Sequence, residues 1–125
     1  MIDFKNGTFV KLKQCDPGAL GANLYAQLLP DEKIISAYKG IRDYVVFTDK
    51  RFISVNVQGI TGKKQDFTSM PYKKISVFSI ETSGVADIDS ELEMWFSGLG
   101  KVHFDFTGRS DIIRIGQIIA SYTLR

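Results

Sequence analysis

From Lys33 to Thr107 the chain is a succession of short β-type runs, each cut off by turn residues before it grows long enough for a helix. The runs are KIISAYKG, RDYVVFT, RFISVNV, KKQDFTSM, KISVFSIETS, SELEMWFS and KVHFDFT, seven in all. Their β-branched and aromatic residues, in rough alternation with polar ones, suit half-buried pleated strands. Short strands in regular succession fold as antiparallel sandwiches or barrels, so the expected class is mainly β: a seven-stranded antiparallel sandwich or open barrel.

Two helical patterns flank the strands. In SDIIRIGQIIASYTLR, Ile112, Ile115, Ile119 and Tyr122 share one helical stripe, with Asp111, Arg114, Gln117 and Ser121 opposite and Ser110 as a candidate cap. Isoleucine is a modest helix former, so burial of the stripe has to hold this C-terminal helix. Ahead of the strands, Asp16 suits an N-cap, Pro17 a first helical position and Pro30 a stop, with Leu20, Leu24 and Leu28 on one face. These signals predict a helix over Pro17 to Leu29, weakened by Gly18 and Gly21. The expected division is an N-terminal extension over 1–30 and a β domain over 31–125.

At 125 residues, with 44% hydrophobic and 24% charged residues, the chain can bury one real core and is not disordered. A net charge of +2 does not call for a nucleic-acid partner. No apolar run is long enough to span a bilayer, and MIDFKNGTFV lacks the apolar stretch of a signal peptide. Cys15 is the single cysteine, which excludes an internal disulfide and points to a reducing, cytoplasmic location.

Strand register follows from which side chains share a face. In LEMWFSGLGKVHFDF the inward set is Leu92, Met94 and Phe96 against Val102, Phe104 and Phe106. Pairing Phe96 with Val102 leaves Gly98, Leu99 and Gly100 as the loop, Trp95 opposite His103, and Glu93 opposite Asp105. In RFISVNVQGITGKKQDF the inward set is Ile53, Val55 and Val57, and pairing Val55 with Phe67 leaves Ile60, Thr61 and Gly62 as the loop. Gly62 and Gly100 are then expected at positive φ. GITGKK therefore reads as a turn. A phosphate loop needs glycines two residues further apart, Ser or Thr after the lysine and a helix to follow; a strand follows here.

Catalytic signals are weak, and no catalytic residue, cofactor or metal site is assigned. His103 is the only histidine and points outward between Val102 and Phe104, with no nucleophile placed beside it. Asp87, Asp89 and Glu91 lack a calcium-loop pattern and read as solvated loop carboxylates. Cys15 reads as an inert side chain. Basic residues gather at hairpin tips, with Lys39, Arg42, Lys63 and Lys64 at one end of the sheet as candidate anion-binding residues. Candidate interface residues are Trp95 and His103, outward on one hairpin, Leu24 and Leu28 on the N-terminal stripe, and Phe78 on a run that is apolar on both sides.

FTDKRFISV, QGITGKK, MPYKKISVFSIETSG and SELEMWFSG, in that order, resemble segments of the bacterial pleckstrin-homology (PH) domain family, over about Pro30 to Tyr122. The resemblance implies two bent antiparallel sheets, packed nearly orthogonally and closed at one end by the C-terminal helix. It also implies homo-oligomeric, ring-like assemblies with no established enzymatic activity. Eukaryotic PH relatives that bind phosphoinositides carry a longer basic loop between the first two strands than YKGIRDY provides, so headgroup binding does not carry over. The first expectation is a non-enzymatic module that associates with itself, in a homo-oligomer larger than a dimer, and with protein partners. The second is peripheral binding of anionic headgroups or phosphate through the basic tips.

Overall fold

The computed structural model describes Phe4 and residues 9–82, 89–108 and 112–124. The proposed cap Ser110, its neighbour Asp111, Asp87 and the last residue of the fifth run, Ser83, lie outside the described residues. Each of the seven runs becomes one strand: β2 Ile34–Lys39, β3 Tyr44–Thr48, β4 Arg51–Gln58, β5 Lys64–Pro71, β6 Ile75–Thr82, β7 Asp89–Phe96 and β8 Gly100–Thr107. An additional short strand, β1 Lys13–Cys15, pairs with β2. The antiparallel order is β1-β2-β3-β4-β5 in one sheet and β6-β7-β8 in the other. Phe9 to Leu12 hydrogen-bond along the free side of β8, where Leu12 N donates to Asp105 O and Thr107 N to Leu12 O, both at 2.8 Å. That contact blunts the edge strand.

The core between the sheets is aromatic. Phe104 sits at its centre, with ring centroids 5.4 Å from Phe9, 5.5 Å from Phe52 and 6.4 Å from Phe47. A helix over Ile112–Thr123 closes one end, burying Ile112, Ile115 and Ile119 as the stripe predicts, with the Tyr122 ring tilted against Tyr72 at a centroid distance of 5.2 Å. Gly116 lets this helix lie close on β6: a Cβ there would sit 2.4 Å from Ile80 Cδ1.

Four expectations need correction. The segment from Pro17 is not one helix but a 3-10 turn over Pro17–Ala19 and a single helical turn, α1, over Ala22–Tyr25. Asp16 does cap it, accepting from Gly18 N at 2.9 Å, but Leu20 and Gly21 between the two turns are extended. The glycines lower helix propensity, and docking of the leucines on the sheet decides the rest. Leu20 and Leu24 cover the outer face of the five-stranded sheet, against Ala37, Tyr44, Val46, Ile53 and Val55. Thus Ile53 and Val55 are buried, but under the N-terminal segment. It is Phe52 that β4 sends into the core between the sheets.

The β7–β8 register differs by two residues from the expected one: Met94 pairs with Val102, and Phe96 with Gly100. A two-residue slip leaves every side chain on its face, so alternation could not detect it. The turn decides it. Leu99 N donates to Phe96 O at 3.2 Å, with Gly98 at φ 84° where a type II turn requires a positive φ. Leu99 then packs against the core. In β6 a bulge between Ile75 and Val77 flips the alternation, so Ile75, Phe78 and Ile80 all serve the core and Val77 is the one apolar side chain of the four that faces out. The strand is therefore not apolar on both faces. The β4–β5 register is as expected, with Val55 opposite Phe67, and Gly62 and Gly100 have φ of 70° and 99°.

The turn between β3 and β4 joins four parts of the chain. Glu32, its side chain fully buried, accepts from Thr48 Oγ1 at 2.6 Å, Arg51 Nε at 2.9 Å, Arg51 Nη2 at 2.8 Å and Leu29 N at 3.0 Å. The Thr48 carbonyl accepts the Tyr72 hydroxyl at 2.6 Å, and the Asp49 carbonyl accepts the Tyr122 hydroxyl. Burial alone would raise the Glu32 carboxyl. The hydrogen bonds from Arg51, Thr48 and Leu29 N outweigh it and hold the pKa at about 2, against 4.5 unperturbed. A pKa depressed by folding adds stability above its unfolded value, and that stability is lost as pH falls through the folded value. The melting temperature should therefore drop as pH is lowered from about 4.5 to about 2, and Glu32→Gln should flatten that stretch. Arg51→Met, which strands a buried carboxylate, should cost about 3–5 kcal/mol at neutral pH in denaturant titration.

Candidate functional site

Two surfaces stand out. The first is the outer face of the β6-β7-β8 sheet, where strand pairing sets side chains in three rows. Val77, Trp95 and Lys101 form the first, Ser79, Glu93 and His103 the second, and Glu81, Glu91 and Asp105 the third. Val77 is 57% exposed and Trp95 half-buried, so the first row presents apolar surface. Glu93 bonds His103 Nδ1 and Lys101 Nζ, each at 3.1 Å, and both partners hold its carboxyl below the usual range. The third row sets like charges directly across from one another, an unfavourable arrangement. It borders a shallow cleft of about 350 Å³ that Asp89 also lines. His103 Nε2 lies 3.8 Å from Glu91 of this row.

The second surface is a cleft of about 430 Å³ between the β2–β3 and β4–β5 loops and Ala19 to Gly21. Gly40 N donates to Asp43 O at 2.8 Å, closing a two-residue loop of Ile41 and Arg42. Asp43 is anchored in turn, accepting from Val57 N at 2.9 Å and Asn56 Nδ2 at 3.1 Å. Arg42 Nη2 donates to Gly59 O across the gap, fixing the two loops relative to each other. Lys39, Arg42, Tyr44, Thr61 and Gln65 line the cleft, and Ile41 and Ile60 stand fully exposed at its rim.

These placements sort the residues singled out from the sequence. Trp95 and His103 share one outer face, but Trp95 lies across from Lys101 and His103 from Glu93, because of the two-residue register difference. The unfavourable carboxylate pair is correspondingly Glu91 with Asp105 rather than Glu93 with Asp105. Leu24 is fully buried in its own chain, Leu28 packs on the same cluster, and Phe78 packs against the core, so none of the three meets Trp95. Lys39 and Arg42 line one cleft, while Lys63 and Lys64 are exposed on the hairpin beside it. Ile41 and Ile60 were missed: each interrupts a polar turn as a single isoleucine, and only full exposure of both at one rim marks them. Cys15 is half-buried, and burial pushes its thiol up despite nearby Lys39, which leaves little thiolate at neutral pH. Among the described residues, no cluster of His, Cys, Asp or Glu is placed to hold a metal ion, and no helix is long and apolar enough to cross a membrane.

Comparison with known proteins gives a consistent result. The profile of the family described as "Bacterial PH domain" matches residues 3–123. The uncharacterized protein YjqA of Bacillus subtilis is 44% identical over 122 residues, covering 96% of this chain and 98% of that protein. The crystal structure of a DUF1696 family protein with a pleckstrin-homology domain from Shewanella loihica is 35% identical with a TM-score of 0.75, covering 91% and 98% of the two chains. The crystal structure of a pleckstrin homology domain from Shewanella amazonensis is 41% identical with a TM-score of 0.63, covering 89% and 90%.

The cleft depends on Gly62, which holds φ 70° and where a Cβ would meet Val57 Cγ1 at 3.3 Å. Gly62→Val should therefore cost about 1–2 kcal/mol in denaturant titration, while Lys63→Ala, at an exposed site, should leave the midpoint unchanged.

Proposed function

The chain belongs to the bacterial PH domain family, and from that premise we propose that it is a non-enzymatic interaction module that self-associates into a homo-oligomer larger than a dimer. The observation that carries this reading is the open outer face of the β6-β7-β8 sheet. The outer face of the five-stranded sheet is covered by Leu20 and Leu24 of the same chain. No such segment packs over Val77 and Trp95 among the described residues. Half-exposed tryptophan beside exposed valine is typical of an interface anchor. Repeated use of one such face in a head-to-tail manner closes into a ring when the rotation between subunits permits it. The non-enzymatic part of the proposal rests on chemistry. The Glu91–His103–Glu93 group lies on an open sheet face rather than in a water-excluding pocket, and Cys15 is held as a thiol. A lone cysteine also fits a cytoplasmic site of action. In light scattering coupled to gel filtration, the unaltered protein should run well above its 14.0 kDa chain mass, and Trp95→Glu should reduce that mass. A concentration-independent monomer would overturn the proposal.

The cleft supports a second reading, peripheral binding of anionic headgroups. Lys39 and Arg42 line it, and Ile41 and Ile60 project where they can enter a bilayer interface. Sedimentation with vesicles containing phosphatidylserine should then exceed that with phosphatidylcholine alone and weaken as salt is raised. Equal sedimentation with both vesicle types would dismiss it.

A further inference from the structure

We propose that the border between the free edge of β6 and the C-terminal helix is a docking site for an extended peptide segment of another protein, which adds to the three-stranded sheet as a further strand. This site is separate from the outer face of that sheet and stands whether or not the chain self-associates. β8 has its free side taken by Phe9 to Leu12, and β1 is only three residues long. β6 is eight residues long, contains no proline and stands at the end of its sheet. From Ser76 to Thr82 its backbone bonds only to β7 among the described residues. Alternate residues therefore direct N–H and C=O groups away from β7, the template to which an extended peptide pairs.

The helix lines this edge with apolar side chains. Gly116 rests on Ile80 and the Tyr122 ring lies against Tyr72, so the helix runs antiparallel to β6. At about 100° per residue, the positions that follow Gly116, turning away from buried Ile115 and Ile119, are Ala120, Ile113 and Leu124. Leu124 N donates to Ala120 O at 3.0 Å, which carries the helical pattern to that residue. Ala120 is half-buried, while Ile113 and Leu124 are 64% and 75% exposed. The two exposed side chains lie about 16 Å apart along the axis, the length of about five strand residues. Opposite charges mark the two ends. Lys73 and Lys74, exposed and in no ion pair among the described residues, precede β6 at the Leu124 end, and Glu81 lies at the Ile113 end. An antiparallel partner, the more stable pairing, matches them with a basic residue at its start, apolar residues at alternate positions and acidic residues at its end. A lipid surface would leave the edge backbone unpaired. The β6 of a second copy has Ile75, Phe78 and Ile80 engaged in its own core and none of them to set against the helix.

Fluorescence polarisation on the full chain tests this with a short labelled synthetic peptide: arginine first, valine at alternate positions with serine between, and glutamate at the end. The probe should bind saturably. Ile113→Asp with Leu124→Asp, and separately Lys73→Glu with Lys74→Glu, should each raise its Kd by about tenfold or more, and melting curves confirm that both variants are folded. Strand addition has a further signature. Only alternate residues of an added strand bond to β6, so N-methylation of one alternate set of probe amides should abolish binding and N-methylation of the other set should leave it unchanged. A probe that shows no saturation up to about 1 mM, or that loses binding equally with either set, would overturn the proposal. So would variants that bind the probe as the unaltered chain does. If the probe does not bind and Ile113→Asp with Leu124→Asp instead lowers the chain's own mass in light scattering, the border belongs to a second copy and the peptide proposal falls. Loss of sedimentation with phosphatidylcholine vesicles in the same variant, again without probe binding, would assign it to a lipid surface and equally end the proposal.

Discussion

The buried Glu32–Arg51 pair at the β3–β4 turn is the contact on which the arrangement of the other parts depends. A carboxylate with no exposure is tolerable only because Arg51, Thr48 and the Leu29 amide satisfy it together. The same turn receives Tyr72 from the corner between the two sheets and Tyr122 from the C-terminal helix. Arg51 also donates to Gln27 O at 2.7 Å, which fixes the end of the N-terminal segment. Sheet, corner, helix and extension are thus referred to a single four-residue turn. The phenol of Tyr72, buried among Tyr122, Asp49 and Glu32, has its ionisation pushed far up, so it stays a hydrogen-bond donor across the physiological range.

Fixing the N-terminal segment on one sheet determines what the other sheet presents. Leu20 and Leu24 turn the outer face of the five-stranded sheet into a second, smaller core, and β3 becomes buried on both faces. The β6-β7-β8 sheet receives no such cover among the described residues and keeps its three rows in solvent. One sheet of the sandwich is structural on both sides. The other is structural inside and available outside, and its available side combines an apolar row with a row of directly opposed carboxylates. Apolar tips with cations stand on loops held by Arg42 and Asp43. Each surface presents exposed apolar side chains, Val77 on the sheet and Ile41 and Ile60 on the loops.

What the sequence determined by itself was local. The punctuation between Lys33 and Thr107 set seven strands, the isoleucine stripe set the closing helix, and the glycine–lysine turns set positive φ at Gly62 and Gly100. Alternation assigned Leu92, Met94, Val102 and Phe104 to the core, because that signal has a period of two and survives any even slip. For the same reason it could not choose between pairing Phe96 with Val102 and pairing it with Gly100. That choice lay in the turn at Gly98 and in the space available to Leu99. The bulge at Ser76 was equally invisible, since one extra residue in a run reads as apolar on both faces until its partner strand is present. Only tertiary structure decided that the leucines cover Ile53 and Val55 rather than Trp95, and that Glu81, Glu91 and Asp105 line up while Ile41 and Ile60 share a rim. These juxtapositions bring together residues distant in sequence, and packing and strand order, rather than local pattern, fix which of them meet.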